Sequence, residues 1–310
     1  MEPIRHTFRV MASATQVTTI GGPPGAARDA EPRLRALERA WSRFIDTSDI
    51  TRVNTRPDTW VPVEHDTIRL IDTMCLASTA TGGRYDPTRL HQLLSLGYTA
   101  SIDDPQRFTI AVERPSEGLT VHDIEIDRSA RAVRVPGGLS LDPGGIGKGL
   151  AADMVVVELL EQGVDGALVS IGGDIAASGA APAELGWLIA VDDPHRPGTT
   201  TTTLAVSDGG IATSSTRSRR WIDHGREHHH VIDPTTGSDS DTDLAAVTVV
   251  ANAGWLAEAH ATAAILCGTA GAVDYLNGRG LAGVAIAADG SVTSTAGLGV
   301  EQSPIDGVAP

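Results

Sequence analysis

Leu141-Asp142-Pro143-Gly144-Gly145-Ile146-Gly147-Lys148-Gly149 runs directly into an apolar segment, 150–162, that Gly163 closes. Leu150, Met154, Val157 and Leu160 recur at helical spacing, so a helix is expected over 147–162, with Gly163 as its stop signal. Four glycines in the six positions 144–149 bare the backbone N–H groups at the head of that helix. Such a turn admits a bulky anion closely, and Lys148 adds a positive charge at the helix N-terminus. A Walker A loop would need Ser or Thr after the lysine, where Gly149 stands, and the Rossmann pattern fits poorly. On residues alone the stretch is either a nucleotide loop of unspecified type or a structural turn.

Working outward, 167–171 is apolar enough for a buried strand and ends in Gly172-Gly173-Asp174, where something packs on bare backbone or the chain simply turns. Upstream, alternation over 6–20 reads as one strand, and Leu34, Leu37, Trp41, Phe44 and Ile45 mark an amphipathic helix over 31–45. The polar stretch 46–54 reads as a loop. Ile68, Ile71, Met74 and Cys75 mark a second helix over 66–80, and 82–107 reads as irregular. Short strands are expected at 109–112, 123–127, 132–135, 187–191, 202–206, 220–223, 246–251, 284–287 and 292–295, with a helix over 256–267. Strands and helices intersperse without a strict βαβ rhythm, so the fold class is α+β, with mixed or antiparallel sheets, packed helices and a nucleotide cleft. Neither the Thr-rich turn at 194–203 nor the acidic loop at 238–243 has linker length. The chain is expected to be one domain, 1–310, with 1–5 and 303–310 as flexible ends.

The composition narrows the function classes. At 41% hydrophobic and 20% charged, the 310-residue chain suits a soluble globular protein. A formal net charge of −15 repels phosphate backbones and anionic lipid, which argues against nucleic-acid and membrane-surface roles. It also repels a nucleotide unless a metal or local basic cluster offsets it. Cys75 and Cys267 lie in apolar helical runs and read as reduced thiols. With no signal peptide and no long apolar run, the expected location is cytoplasmic, without membrane insertion.

Two further motifs carry chemistry. In His228-His229-His230-Val231-Ile232-Asp233-Pro234-Thr235-Thr236-Gly237, consecutive strand side chains alternate faces, so the three histidines cannot share one ion. A single histidine ahead of Asp-Pro and a Gly-closed turn is better placed as a general base or phosphate contact. In Glu258-Ala259-His260-Ala261-Thr262, positions i and i+4 share a helix face, and two oxygens there suit a hard cation such as magnesium.

These residues resemble the FAD:protein FMN transferase (ApbE-like) family. The family's aspartate, Gly-rich turn, Lys-Gly and Ala-Ala-Asp helix match Asp142 through Asp153, and its strand ending in Gly-Gly-Asp matches Gly172-Gly173-Asp174. The His-x-Ile-Asp-Pro-x-Thr-Gly segment matches His230 through Gly237, and Ala-acidic-x-x-x-Thr matches Ala257 through Thr262. Weaker matches lie at Tyr85-Asp86-Pro87-Thr88, Ser48 through Asn54 and Phe8 through Met11. Glu258 stands where many relatives have Asp, Met11-Ala12-Ser13 stands for Met-Gly-Thr, and Ala212-Thr213-Ser214-Ser215 stands for Ser-Thr-Ser-Gly.

The resemblance implies magnesium-dependent transfer of FMN from FAD to a Thr or Ser hydroxyl of an acceptor protein, with release of AMP. It implies a metal site at Glu258, Thr262 and the Gly145 carbonyl. FAD contacts would fall on Met11, Phe44, Arg84, Tyr85, Asp86, Asp142, Lys148 and Ile232, and His230 would be the catalytic base. Two rivals keep most of these residues: an FAD pyrophosphatase yielding FMN and AMP, and a flavin-retaining carrier without chemistry.

Overall fold

The computed structural model describes residues 2–101, 104–112, 114–296 and 298. The expected flexible end at 303–310 lies outside the described residues.

The helices are α1 (Ala26–Trp41), α2 (Asp49–Asn54), α3 (His65–Thr81), α4 (Leu90–Ser95), α5 (Gly147–Glu161), α6 (Gly254–Ile265) and α7 (Gly268–Asn277). The first strands are β1 (Ile4–Val10), β2 (Ser13–Ile20), β3 (Val61–Pro62), β4 (Glu125–Asp127), β5 (Ala132–Arg134), β6 (Gly166–Ile171) and β7 (Asp174–Gly179). They continue as β8 (Trp187–Asp192), β9 (Thr200–Val206), β10 (Gly209–Ser215), β11 (Arg220–Asp223), β12 (Arg226–His229), β13 (Leu244–Ala251), β14 (Ala282–Ala287) and β15 (Val292–Ser294).

An eight-stranded sheet in the order β1-β2-β6-β7-β10-β13-β14-β15 forms the centre, and every strand pair in the described residues is antiparallel. The α+β class expected from sequence holds. β6 reads as a continuous apolar run because both of its faces are covered. Ala167, Val169 and Ile171 join the helical core, while Leu168 packs with Ile20, Ile175 and Trp187 on the opposite face. That opposite face is covered by the β8–β9 ribbon, through Val191, Leu204 and Val206 against Ile211, Val284 and Ile286.

Several local expectations change. The strand expected over 6–20 is a hairpin: Val10 pairs with Ser13, leaving Met11 (φ 52°) and Ala12 (φ 54°) as a two-residue turn. That left-handed pair is usually Asn-Gly, so sequence carried no turn signal. Ile4 and Arg5, expected in a flexible end, are part of β1. The loop expected at 46–54 contains α2, capped by Ser48 Oγ accepting from Thr51 N at 3.0 Å. The irregular 82–107 holds α4, and no strand forms at 109–112. β7, β10, β12 and α7 went unread because small and polar residues interrupt their periodicity. Val157, grouped by helical spacing with Leu150, Met154 and Leu160, is exposed. The helix is enclosed by α1, β6, β7 and α6, so Val155, Val156 and Leu159 are buried instead.

No described helix is long and apolar enough to cross a membrane. Cys75 and Cys267 are both free.

Candidate active site

Two glycine-bearing crossings bring the site together. Gly172 (φ 62°) and Gly173 (φ 94°) form the β6–β7 turn, which sets Asp174 at the buried start of β7. Gly149 of α5 faces Gly254 of α6 so closely that a Cβ on Gly149 would lie 2.5 Å from the Gly254 carbonyl. At this crossing each helix supplies the acid that satisfies the other. Asp153 accepts from Gly254 N (2.7 Å) and Trp255 N (2.9 Å), while Glu258 Oε2 accepts from Gly149 N (2.8 Å). Both helix starts therefore have their unpaired N–H groups met by a carboxylate, which aligns with the helix dipole. Burial pushes the Asp153 carboxyl up to about 6, against the pull of those two N–H groups.

Around this crossing opens a cleft of about 570 Å³. Every residue singled out from sequence lines it: Met11, Phe44, Arg84, Tyr85, Asp86, Asp142, Gly145, Lys148, His230, Ile232, Glu258 and Thr262. Lys148 is not a free cation. Its Nζ pairs with Asp174 and donates to Glu258 Oε1 at 3.0 Å. Burial is the main influence lowering its basicity, with Arg219 adding to it and Glu258 opposing. Asp142 accepts from Gly144 N at 3.1 Å and faces Arg43 Nε at 3.6 Å.

The oxygens near the Gly-rich turn form a hard donor set. Thr262 Oγ1 shares a hydrogen bond with Ser214 Oγ at 3.0 Å, and a Cβ on Gly145 would stand 3.4 Å from that same Thr262 oxygen. Gly145, at φ 79°, thus belongs at a close approach that leaves no room for a side chain. The Tyr85 hydroxyl is buried there without a hydrogen-bond partner, its phenol held protonated by burial and by Glu258, Asp142 and Asp86. No group of three or more His, Cys, Asp or Glu among the described residues is arranged to hold a metal. One carboxylate with hydroxyl and carbonyl oxygens matches magnesium, which keeps waters and substrate oxygens in its shell, rather than zinc. In this structure the Lys148 ammonium supplies the cationic charge beside Glu258.

The three histidines separate as strand geometry requires. His228 is buried and stacks on Trp221, with ring centroids 6.0 Å apart. His229 Nε2 lies 3.1 Å from Ser240 O. His230, just past β12, lines the cleft, and burial followed by the charges of Arg219 and Lys148 lowers its basicity to about 3. It is neutral at pH 7.

Sequence reasoning missed several cleft residues. Arg43 is 4% exposed, sandwiched between the rings of Phe44 (4.2 Å) and Tyr98 (4.6 Å), and donates to Thr109 Oγ1 at 2.6 Å. Tyr98 stacks in turn on Trp221 at 4.9 Å, and Trp221 Nε1 donates to Leu96 O at 2.5 Å. This pillar props the β11–β12 hairpin, and with it the approach to His230, against the cleft wall. These contacts join segments 55 to 125 residues apart, so no local pattern announces them. Asp174 and Ser214 were visible within motifs, but not their partners.

Known proteins are similar to this chain in sequence and fold. The ApbE family model matches residues 7–285. The FAD:protein FMN transferase of Treponema pallidum (strain Nichols) is 29% identical over 251 residues, spanning 76% of this chain and 69% of its own. The protein of that name from Klebsiella pneumoniae (strain 342) is 26% identical over 295 residues, spanning 91% and 83%. The ApbE protein of Thermotoga maritima shares the fold, with a TM-score of 0.81 at 22% identity over 95% of this chain and 97% of its own. The apo flavinyl transferase ApbE of Pseudomonas stutzeri superposes with a TM-score of 0.77 at 25% identity over 95% of each chain. Matched from its first hairpin to β14, this chain belongs to the ApbE family.

Proposed function

We propose that this protein is a magnesium-dependent FAD:protein FMN transferase that moves FMN from FAD to a Thr or Ser hydroxyl of an acceptor protein and releases AMP. The observation that carries this reading is the convergence of Lys148, Asp174, Glu258, Thr262 and His230 on one cleft, in a chain whose relatives bear that name. The family match over 7–285 supports a single catalytic domain. The two free thiols suit a reducing, cytoplasmic setting.

In the proposed reaction the acceptor oxygen attacks the FMN-side phosphorus. A new P–O bond forms, the bridging P–O bond breaks, and AMP departs with the electron pair. His230, neutral at pH 7, takes the hydroxyl proton. The Gly-rich turn and Lys148 line the part of the cleft that would take the pyrophosphate, while Met11, Phe44, Arg84, Tyr85, Asp86, Asp142 and Ile232 line the remaining surface for the flavin and nucleotide. A magnesium ion held by Glu258, Thr262 and the Gly145 carbonyl would supply charge neutralisation at the phosphates. Asp153 and the Gly149–Gly254 crossing keep Glu258 and Thr262 in register with the loop.

The test is incubation with FAD, magnesium and candidate acceptor proteins. AMP release with an FMN-sized mass increase on an acceptor supports the reading. AMP release with free FMN in place of that adduct identifies a pyrophosphatase, and FAD left intact refutes both.

A further inference from the structure

Arg219 is a further residue of the cleft that no motif anticipates. It sits in the short connection between β10 and β11, half-buried, with its backbone in the left-handed region at φ 48°. An arginine is rarely held there, and strain of this kind persists where surrounding structure imposes it, often at functional sites. Three of the six non-glycine residues with positive φ among those described line this cleft: Met11, Ala12 and Arg219.

The charge balance around it is uneven. Each cleft acid already has a partner. Glu38 accepts from Met11 N, Asp86 pairs with Arg89, Asp104 with Arg107, Asp142 with Arg43, and Asp174 and Glu258 with Lys148. Arg219 forms no ion pair or hydrogen bond with any described residue. The charged and titratable groups it acts on are Lys148 and His230, a second cation and the candidate base. Without a carboxylate of its own, the guanidinium acts unfavourably on the Lys148 ammonium and on the protonated form of His230. An anion bound beside Arg219 would be matched by its charge, while Lys148 stays paired with Asp174 and Glu258.

We infer that Arg219 binds a phosphoryl oxygen of the nucleotide substrate, as a specificity-determining contact in the cleft that Lys148 also lines. The inference deepens the transferase reading and rests on it for the identity of the nucleotide. A guanidinium matches phosphate oxygens in a planar fork, so it would also orient the group that leaves. The same contact has a second consequence for the base. Pairing Arg219 and Lys148 with phosphate charge cancels the two cationic influences that depress His230, so occupancy of the site makes the base stronger.

The experiment compares the parent with Arg219→Asn and Arg219→Lys, measuring affinity for FAD, ADP, inorganic pyrophosphate and riboflavin by calorimetry. Asparagine tolerates the left-handed backbone, and unchanged thermal midpoints establish that the variants fold. Loss of one charge-assisted contact should weaken FAD and ADP about 10–100-fold in Arg219→Asn. Riboflavin, which lacks phosphate, should bind as before, and Arg219→Lys should recover part of the loss. Equal losses for riboflavin, or no loss for FAD, overturn the assignment. If the parent binds ADP and pyrophosphate but neither flavin, the transferase reading falls, and a loss of pyrophosphate affinity in Arg219→Asn still upholds the anion site. If the parent binds no phosphate compound, both fall.

Discussion

Gly149→Ala tests the helix crossing on which the site is built. In the interior of a helix, alanine is normally better than glycine by about 1 kcal/mol, so propensity alone forecasts a more stable protein. The contacts forecast the reverse. The new Cβ would stand 2.5 Å from both C and O of Gly254 and 2.7 Å from Trp255 N, all of them backbone atoms that cannot rotate away. Carbon contacts settle near 3.5 Å, so α6 must retreat by roughly 1 Å. That retreat loosens the bonds from Gly254 N and Trp255 N to Asp153 and from Gly149 N to Glu258. Overpacking costs about 1–3 kcal/mol and the loosening of these three bonds about 2 kcal/mol together, which exceeds the propensity gain of about 1 kcal/mol. We expect a net loss of about 2–4 kcal/mol, seen as a melting temperature lowered by roughly 3–6 °C. A 1 Å displacement of Glu258 and Thr262 should also slow AMP release about 100-fold. Gly147→Ala is the control, because its Cβ would meet only Pro143 Cβ at 3.4 Å and should leave the melting temperature unchanged or slightly raised. A Gly149→Ala protein as stable as the parent would refute the crossing geometry.

Three further outcomes are expected. Thr262→Val keeps the side-chain shape and removes the oxygen that faces Ser214, so the melting temperature should hold while magnesium-dependent turnover at limiting metal collapses; normal turnover would remove Thr262 from the donor set. His230, depressed to about 3, contributes stability that is present above the ordinary histidine value near 6.5 and is lost as pH falls toward 3; its ring proton resonance in the free protein, assigned by its loss in His230→Asn, should not titrate between pH 5 and 8, and a midpoint near 6.5 would contradict the burial described. Ala12→Gly should raise stability by about 1 kcal/mol in chemical denaturation, since it relieves a left-handed alanine in the β1–β2 turn, and a loss would mean that Ala12 makes contacts outweighing its strain.

Much of this protein was legible in its sequence where the governing physics is local. The glycine-rich run before α5, the Gly172-Gly173 turn, the i, i+4 pair of Glu258 and Thr262 and the alternation that separates His228, His229 and His230 all follow from backbone periods and turn chemistry. They suffice for the fold class, the long helices and a set of residues that line one cleft. Tertiary structure decided the states of those residues. Lys148, read as a positive charge at a helix N-terminus, is held by Asp174 and Glu258 because two helices and a hairpin meet there. Asp153, one residue of a helical motif, reaches the N-terminus of α6 about a hundred positions later. Arg43, Tyr98 and Trp221 form one stack from three distant segments, and Arg219 faces the cleft from a turn with no signature. Charge pairing, burial and stacking depend on distances across the folded core, which local periodicity does not encode; hence sequence alone determined which residues could form the site, and only the packing of α5, α6 and the β11–β12 hairpin decided which charges were paired and which remained open.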